Sequence, residues 1–211
     1  MAADRPHGVL LAAGAGRRMG SPKGLLRMPD GTPWVERGVR VLLEGGCAGV
    51  TVVVGAAADE VTALVPDLPG TTTTYAAHWE SGLAASLAAG LDHCSQLHNC
   101  YGVDGSNCAV VNRAVVLLVD LPDVGADVVA RVLGAGGAGP AVLARAAYGN
   151  RPGHPVILGR DHWAPVIAEA AGDTGAKAYL SRAGALLVEC GDLATGRDVD
   201  RPWVRRGPPE R

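Results

Sequence analysis

Short apolar runs alternate with helix-like stretches along most of the chain. Residues 8–12 form a continuous apolar run that ends in a glycine-rich turn, which is typical of a strand buried on both faces of a sheet. Residues 50–54 and 115–119 have the same character, and 115–119 is the strongest candidate for the central strand. Further strands are predicted at residues 71–76, 141–147, 155–158 and 184–189.

Helical patterns fill the intervals between these strands. The first is predicted for residues 32–43, with Thr32 as the N-cap and Pro33 at the first helical position. The others are predicted at residues 59–65, 81–91, 126–133, 163–170 and 176–181. The alternation predicts an α/β fold of the Rossmann-like type, a three-layer sandwich in which helices cover both faces of a mostly parallel central sheet. Ligands of such sheets bind at the carboxyl ends of the strands, so the loops after Ala12 and Val119 are predicted to form the ligand site.

The composition limits the class of protein. The 211 residues are 48% hydrophobic and 19% charged, which fits a single globular domain (1–211) with an insertion at 93–112 and a tail at 203–211. A formal net charge of −2 argues against nucleic acid as a partner. No apolar run reaches the roughly 18 residues that a membrane span needs, and no secretory signal is expected. Five irregularly spaced cysteines then favour a reduced, cytoplasmic protein.

Residues 11–23, LAAGAGRRMGSPK, carry the strongest chemical signal. Closely spaced glycines let the backbone approach a ligand and direct several N–H groups at one anion. Arg17, Arg18 and Lys23 add positive charge beside them. The stretch is therefore predicted to bind phosphate.

Two common phosphate-binding patterns do not fit this loop. A dinucleotide fingerprint has glycine where this chain has Met19, and an acidic residue where the second predicted strand ends in Gly55. A P-loop has Ser or Thr directly after its lysine, whereas Lys23 is followed by Gly24.

A third pattern does fit, because the loop follows L-A-A-G-x-G-x-R-M-G-x-x-K. It resembles the signature of the MobA-like NTP transferases, which are nucleotidyltransferases of the molybdenum cofactor type. Similar motifs follow in that family's order: G-[ML]-x-x-S-[LI] at 82–87, D-x-P at 120–122, G-H-P-V at 153–156, G-D-x-G-A-[RK] at 172–177, and D-V-D-R-P for the family's D-[IV]-D-T-P at 198–202. The resemblance implies that the nucleotide is bound by Leu11, Ala12, Ala13, Gly14, Ala15, Gly16, Arg17, Arg18, Lys23, Ser81, Gly82 and Ser86.

The resemblance also implies a reaction. A nucleoside monophosphate moves from an NTP to a phosphate of the acceptor, and pyrophosphate leaves. The implied cofactor is magnesium, a cation that prefers a few carboxylates together with substrate phosphates. The implied catalytic residues are Arg18, Lys23 and Asp120, the implied metal ligands are Asp120, Asp198 and Asp200, and the implied acceptor-binding residues are His154 and Asp173.

The donor and acceptor follow from finer details of the same resemblance. Ala13 favours CTP, because L-A-A-G is typical of the family's cytidylyltransferases and L-A-G-G of its guanylyltransferases. The implied acceptor is a phosphorylated pterin of the molybdopterin type, and a molybdoenzyme or its chaperone is an implied partner. The alternatives are a guanylyltransferase using GTP, a transferase for another phosphorylated acceptor, and a non-catalytic nucleotide-binding partner of a molybdoenzyme. An NAD- or flavin-dependent oxidoreductase is disfavoured by Met19 and the missing acidic residue.

Several candidate residues also have a purely structural interpretation. Asp120 two residues before Pro122 is typical of a turn, and Asp173 suits a helix cap. Asp198 and Asp200 alternate with Val199 as they would on an exposed edge strand. A cluster of metal-binding residue types has no zinc-like spacing, so a solvated loop with free thiols is predicted for His93, Cys94, His98, Cys100 and Cys108.

Overall fold

A seven-stranded sheet forms the centre of the computed structural model, which describes residues 6–101 and 107–199. Two further strands form a separate antiparallel pair. In chain order the strands are β1 (His7–Leu11), β2 (Gly49–Val54), β3 (Thr71–Tyr75), β4 (His98–Tyr101), β5 (Asn107–Val110), β6 (Arg113–Leu118), β7 (Leu143–Tyr148), β8 (Arg151–Gly159) and β9 (Leu186–Glu189). Of these, β4 and β5 form the separate pair.

The main sheet has the strand order β3-β2-β1-β6-β8-β7-β9. The first four strands in this order are parallel, with Leu11 of β1 paired to Val53 of β2 on one side and to Leu118 of β6 on the other. The carboxyl ends of β1, β2 and β6 therefore lie level at one edge of the sheet. The predicted mostly parallel sheet is confirmed.

The strand β8 departs from the parallel arrangement, since it is antiparallel to both β6 and β7. The cause is a two-residue turn between β7 and β8. Gly149 and Asn150 have φ angles of +58° and +64°, the left-handed conformation that tight hairpins use. The hairpin lengthens β8, so that it begins at Arg151 rather than at the predicted residue 155.

Helices cover both faces of the main sheet. They are α1 (Trp34–Glu44), α2 (Ala58–Thr62), α3 (Leu83–Gln96), α4 (Ala126–Gly136), α5 (Trp163–Glu169) and α6 (Lys177–Arg182). The core on one face joins α1 and α4 to Leu10 of β1, and the core on the other joins α3, α5 and α6 to Val9 and Leu11. This confirms the three-layer sandwich. Within the described ranges, none of the helices is both long and apolar enough to cross a bilayer.

The first two helices differ from their predicted bounds. The helix α1 begins at Trp34 with Pro33 as its N-cap and no side-chain cap; the preceding residue, Thr32, instead donates its backbone N–H to the carboxylate of Asp30 at 2.9 Å. Thr32 is therefore not the N-cap, because it belongs to a local turn. The helix α2 ends at Thr62 rather than at residue 65.

The predicted insertion at 93–112 is not a simple solvated loop. The helix α3 extends to Gln96, which makes Cys94 a fully buried core residue. The solvated free thiol predicted for Cys94 is thus wrong, because the helix continues past the predicted end and turns this side chain inward. His93 lies on the same helix, with Nε2 3.4 Å from the hydroxyl of Thr72. Among the described residues no group of three or more His, Cys, Asp or Glu could hold a metal ion.

Candidate functional site

A cavity of about 360 Å³ lies at the carboxyl ends of β1 and β6. The loop after each of these parallel strands forms part of its wall, as expected for a ligand site in this class of sheet. It is lined by Leu11, Ala13, Gly14, Ala15, Gly16, Arg17, Lys23, Trp79, Glu80, Gly82, Leu83, Ser86, Leu118, Val119, Asp120 and Asp173. We call it the first cavity.

The loop after β1 presents backbone amides to the first cavity. Gly16 has a φ angle of +58°, and its carbonyl accepts the N–H of Met19 at 2.7 Å. A Cβ atom at Gly16 would collide with the carbonyl oxygen of Ser21, so only glycine fits this close approach. In the part of the chain that the structure describes, no acceptor meets the backbone N–H groups of Gly14 through Arg17. The loop is therefore built to donate hydrogen bonds to a ligand.

An ion pair closes one side of the first cavity. Nζ of Lys23 lies 2.7 Å from Oδ2 of Asp120, and the two side chains are 16% and 17% exposed. Lys23 begins a short 3₁₀ helix (Lys23–Leu25), and Asp120 follows the buried strand β6. Oδ1 of Asp120 is buried and has no hydrogen-bond partner among the described residues. A buried carboxylate oxygen without a donor is costly unless a ligand completes it, and a hard cation such as Mg²⁺ fits that requirement.

The chain after β9 returns to Asp120. The backbone N–H of Val199 donates to the carbonyl of Asp120 at 3.1 Å. The carboxylate of Asp123 holds the same segment by accepting the N–H groups of Thr195 at 2.7 Å and Gly196 at 3.2 Å. Asp198, exposed and next to Val199, is thereby brought to the strand end that carries Asp120.

Part of the wall of the first cavity is formed by residues that are not among the candidate site residues. The Trp79 side chain packs directly over Gly55, at the end of β2, where a Cβ atom would lie 2.6 Å from Cγ of Trp79. Glu80, Leu83, Leu118 and Val119 complete this part of the wall. One signal was present in the sequence: Gly55 directly follows the predicted strand 50–54, and the aromatic Trp79 lies three residues before the motif at 82–87.

A second cavity, of about 760 Å³, adjoins the first and shares Leu11, Leu83 and Asp173 with it. The Asp173 carboxylate marks the junction, since its Oδ1 lies where a Cβ atom of Gly82 would meet it at 2.7 Å. The second cavity has an apolar floor that includes Leu11, Leu83, Leu87, Val116, Val156, Leu158 and Leu180. Its charged and titratable residues are Arg145, Arg151, His154, Asp173 and Lys177.

Two neighbouring groups dominate the polar side of the second cavity. The Arg145 guanidinium donates from Nε and Nη2 to the carbonyl of Gly153, at 3.2 and 3.1 Å. Burial, together with this nearby positive charge, lowers the pKa of His154 to about 3. Tyr148 donates its hydroxyl to the His154 carbonyl at 2.6 Å, and burial raises the pKa of that phenol. His154 is therefore an uncharged imidazole at neutral pH.

The structure brings most of the candidate residues to these two cavities. Those on the first cavity are Leu11, Ala13, Gly14, Ala15, Gly16, Arg17, Lys23, Gly82, Ser86, Asp120 and Asp173, and His154 lines the second. Four described candidates are not among the lining residues, one of which is Asp198, described above. Ala12 packs into the core on the α1 side of the sheet, while Arg18 and Ser81 are exposed. Asp200 lies outside the described residues.

A glycine-rich amide loop and a strand-end carboxylate on a mostly parallel sheet define an α/β nucleotidyltransferase fold. A family model for the MobA-like NTP transferase domain matches residues 8–186, and the chain belongs to this family. It is 34% identical over 203 residues to the nicotine blue oxidoreductase of Paenarthrobacter nicotinovorans, covering 92% of this chain and 91% of that protein.

Solved structures agree on the fold. A homologue, from Mycobacterium sp. strain JC1, of the Mycobacterium tuberculosis protein Rv0371c has 29% identity and a TM-score of 0.70, with 94% of this chain and 91% of that one covered. A nucleotidyl transferase from Methanothermobacter thermautotrophicus has 20% identity and a TM-score of 0.73, with coverage of 94% and 93%. The second likeness concerns the fold alone.

Proposed function

We propose that this protein transfers a cytidylyl group from CTP to a phosphorylated acceptor of the molybdopterin type and releases pyrophosphate. The observation that carries the proposal is the buried Oδ1 of Asp120, which has no partner in the described chain and belongs to a residue that lines the first cavity together with the amide loop. A nucleoside triphosphate with a divalent cation would satisfy both features. Its phosphate oxygens would accept from the amides, and the cation would complete the carboxylate.

The chain's own residues have distinct tasks in this reaction. The N–H groups of Gly14 through Arg17 would bind the phosphates that leave as pyrophosphate, which stabilises the charge that develops there. Asp120 would hold magnesium, with Asp198 and Asp200 as further ligands, and bound magnesium would neutralise phosphate charge and orient the reacting groups. Lys23, 2.7 Å from Asp120, would stabilise the departing phosphates. Arg18 would add a second positive charge that stabilises the departing phosphates.

No side-chain nucleophile is needed, because an oxygen of the acceptor phosphate attacks the α-phosphorus of CTP as the bond to pyrophosphate breaks. The acceptor would occupy the second cavity and present its phosphate at the junction beside Asp173. His154, uncharged at neutral pH, would contribute hydrogen bonds rather than charge. A molybdoenzyme or its chaperone is the proposed recipient of the product.

Pyrophosphate release tests the proposal. Purified protein is incubated with molybdopterin-type acceptor, magnesium and each of the four NTPs in turn, and pyrophosphate is measured against matched reactions without acceptor and with chelator. We expect release that needs acceptor and metal and is fastest with CTP. Release with GTP alone would support the guanylyltransferase alternative, and nucleotide binding without turnover would support the non-catalytic one.

Thermal shifts measured with the same four nucleotides separate binding from turnover. Selective binding raises the unfolding temperature by mass action, and we expect the largest magnesium-dependent shift with CTP. Equal shifts with CTP and GTP would remove the inference from Ala13.

A second candidate function, hydride transfer from a reduced nicotinamide cofactor to an aromatic compound, is favoured by the 34% identical relative that is called an oxidoreductase. The wide, apolar-floored second cavity also suits a flat aromatic substrate. Absorbance at 340 nm distinguishes the two functions. Oxidation of NADPH or NADH that depends on an added aromatic dye, without pyrophosphate release from any NTP, would replace nucleotidyl transfer by this reaction.

A further inference from the structure

Arg145 is a half-buried cation whose charge has no carboxylate partner among the described residues. It lies on β7 and lines the second cavity. Burial lowers the pKa of its guanidinium, and no acidic group offsets the effect. Asp173 lines the same cavity, but it is not in an ion pair with Arg145. A charge held this way is costly, since removing a cation from water is offset only when an anion or several acceptors replace the water.

The hydrogen bonds of Arg145 leave most of its donors unused. A guanidinium carries five N–H donors, and two of them meet the single carbonyl of Gly153. That contact holds Nε and Nη2 against Gly153, near the start of β8, and Nη1 can donate to a ligand. A purely structural arginine would be expected to bond more than one acceptor, as Arg131 does with the carbonyl of Glu189 and the carboxylate of Asp192.

The surroundings of Arg145 define what its ligand looks like. Leu87, Val116 and Leu158 belong to the apolar floor described above, which favours the face of a ring system over a flexible polar chain. His154 adds an uncharged imidazole, able to donate or accept a hydrogen bond at the ring's edge. Arg151 and Lys177, both exposed, keep the rim positive and would attract an anion to the cavity.

We infer that the second cavity binds a flat aromatic molecule through a negatively charged oxygen, a carboxylate or an ionised ring oxygen, which Arg145 holds. This group is separate from the phosphate that reacts at the junction with the first cavity. The inference rests on the proposed function in one respect, namely that the second cavity holds the substrate; nucleotidyl transfer and hydride transfer both require this. It adds the chemical class of the substrate and names Arg145 as the residue that selects it.

Two probes of the same shape and different charge test the inference on the full chain. The dissociation constants of 2-naphthoate and 2-naphthamide are measured by NMR titration, with and without saturating CTP and magnesium. We expect naphthoate to bind about tenfold more tightly or better, because a charge-assisted hydrogen bond to Arg145 replaces a neutral one. CTP is included so that a probe bound in the first cavity is displaced and does not contribute.

Variants assign this preference to one side chain. Arg145→Gln should reduce the naphthoate-to-naphthamide ratio to about 1, and Arg145→Lys should retain most of it because the charge is kept. The matched control is Arg40→Gln, since Arg40 is exposed on α1 and forms an ion pair with Glu36 of the same helix. A thermal melt of each variant reports folding, and the wild-type ratio itself is independent of any variant's stability.

Three results would overturn the inference: equal affinities of the two probes for the wild type, no binding of either probe, or an unchanged ratio in Arg145→Gln. The thermal shift with CTP, measured on the same samples, keeps this test separate from the proposed function. If CTP no longer raises the unfolding temperature but naphthoate still binds more tightly than naphthamide, the result counts against nucleotidyl transfer and not against the role of Arg145. A normal CTP shift with no preference would count against the role of Arg145 alone.

Discussion

The two cavities lie side by side, share three residues and are built in different ways. The first combines a loop of main-chain amides around Gly16 with the ion pair of Lys23 and Asp120, and the Trp79 side chain lines part of its wall. The second is made of side chains from β7, β8, α3 and α6 on an apolar floor, with Arg145 and His154 as its polar edge. The first is suited to a ligand fixed by its phosphates, and the second to a ligand fixed by ring shape and one charge.

Because of this difference, the two cavities should differ in how many substitutions of their lining residues they tolerate. Backbone amides are supplied by any residue, so the first cavity depends on loop conformation and tolerates little change in its glycines. The second depends on side-chain identity, so related chains can bind other substrates there without altering the sheet.

The largest expected effect tests the carboxylate of the first cavity. Asp120→Asn keeps the shape of the side chain but removes the negative charge and the ion pair with Lys23. We expect kcat/KM for pyrophosphate release to fall about 100-fold or more, because an amide would hold magnesium poorly and the phosphate charge would no longer be neutralised. The control is Asp192→Asn, on an exposed carboxylate that pairs with Arg131. An Asp120→Asn enzyme as fast as the control would contradict the assignment of Asp120.

A substitution in the amide loop should act on one cavity and not on the other. Gly16→Ala forces an alanine into a left-handed φ of +58° and against the carbonyl of Ser21. We expect a loss of roughly 1–3 kcal/mol in the free energy of unfolding and weaker CTP binding, with naphthoate affinity unchanged. For stability the control is Gly14→Ala, whose added Cβ meets no atom within 4 Å. Parallel loss of both ligands would show that the cavities are not independent.

Trp79 adds an aromatic side chain to the wall of the first cavity. If the base of the nucleotide stacks on its indole ring, Trp79→Ala should weaken CTP binding by about 1–3 kcal/mol, as measured by calorimetry. Trp79→Phe should keep most of the affinity, because an aromatic face remains. Equal affinity in all three proteins would place the base elsewhere in the cavity.

The smallest expected effect is the pH response of the second cavity. The pKa of His154 is lowered to about 3 in the folded protein from 6.5, so the unfolded chain binds a proton that the folded one does not between these values. Folding stability should therefore fall as the pH is lowered from about 6.5 towards 3. Naphthoate affinity should stay constant between pH 5 and 8, because His154 does not change its charge there.

The variant His154→Asn tests how much of that pH response comes from His154. We expect the free energy of unfolding to depend less steeply on pH in this variant than in the wild type. Part of the slope should remain, since burial also lowers the pKa of His7 to about 4. The free energy of unfolding is measured by denaturant titration at each pH. An unchanged slope in His154→Asn would mean that this imidazole titrates as it does in the unfolded chain.

Much of the fold was predictable because the central strands β1, β2 and β6 are buried on both faces. Continuous apolar runs such as the one in β6 have few alternatives, and their alternation with helices restricts the sheet to a mostly parallel one. The antiparallel β8 was not predicted, because its direction depends on the φ angles of Gly149 and Asn150. The end of α3 was also missed, since the burial of Cys94 depends on contacts with elements distant along the chain.

The candidate site divides in the same way. The loop of residues 11–23 is local: its glycines, its cations and its place after a buried strand all lie within one short segment. The sequence by itself therefore determined that a glycine-rich, positively charged loop follows β1, which predicts phosphate binding. Only the tertiary structure decided that Lys23 meets Asp120 at the sheet edge, that Trp79 covers Gly55, and that half-buried Arg145 has no carboxylate partner among the residues that the structure describes. Those pairings join residues far apart in the chain, and the packing of strands and helices, rather than any local pattern, brings them together.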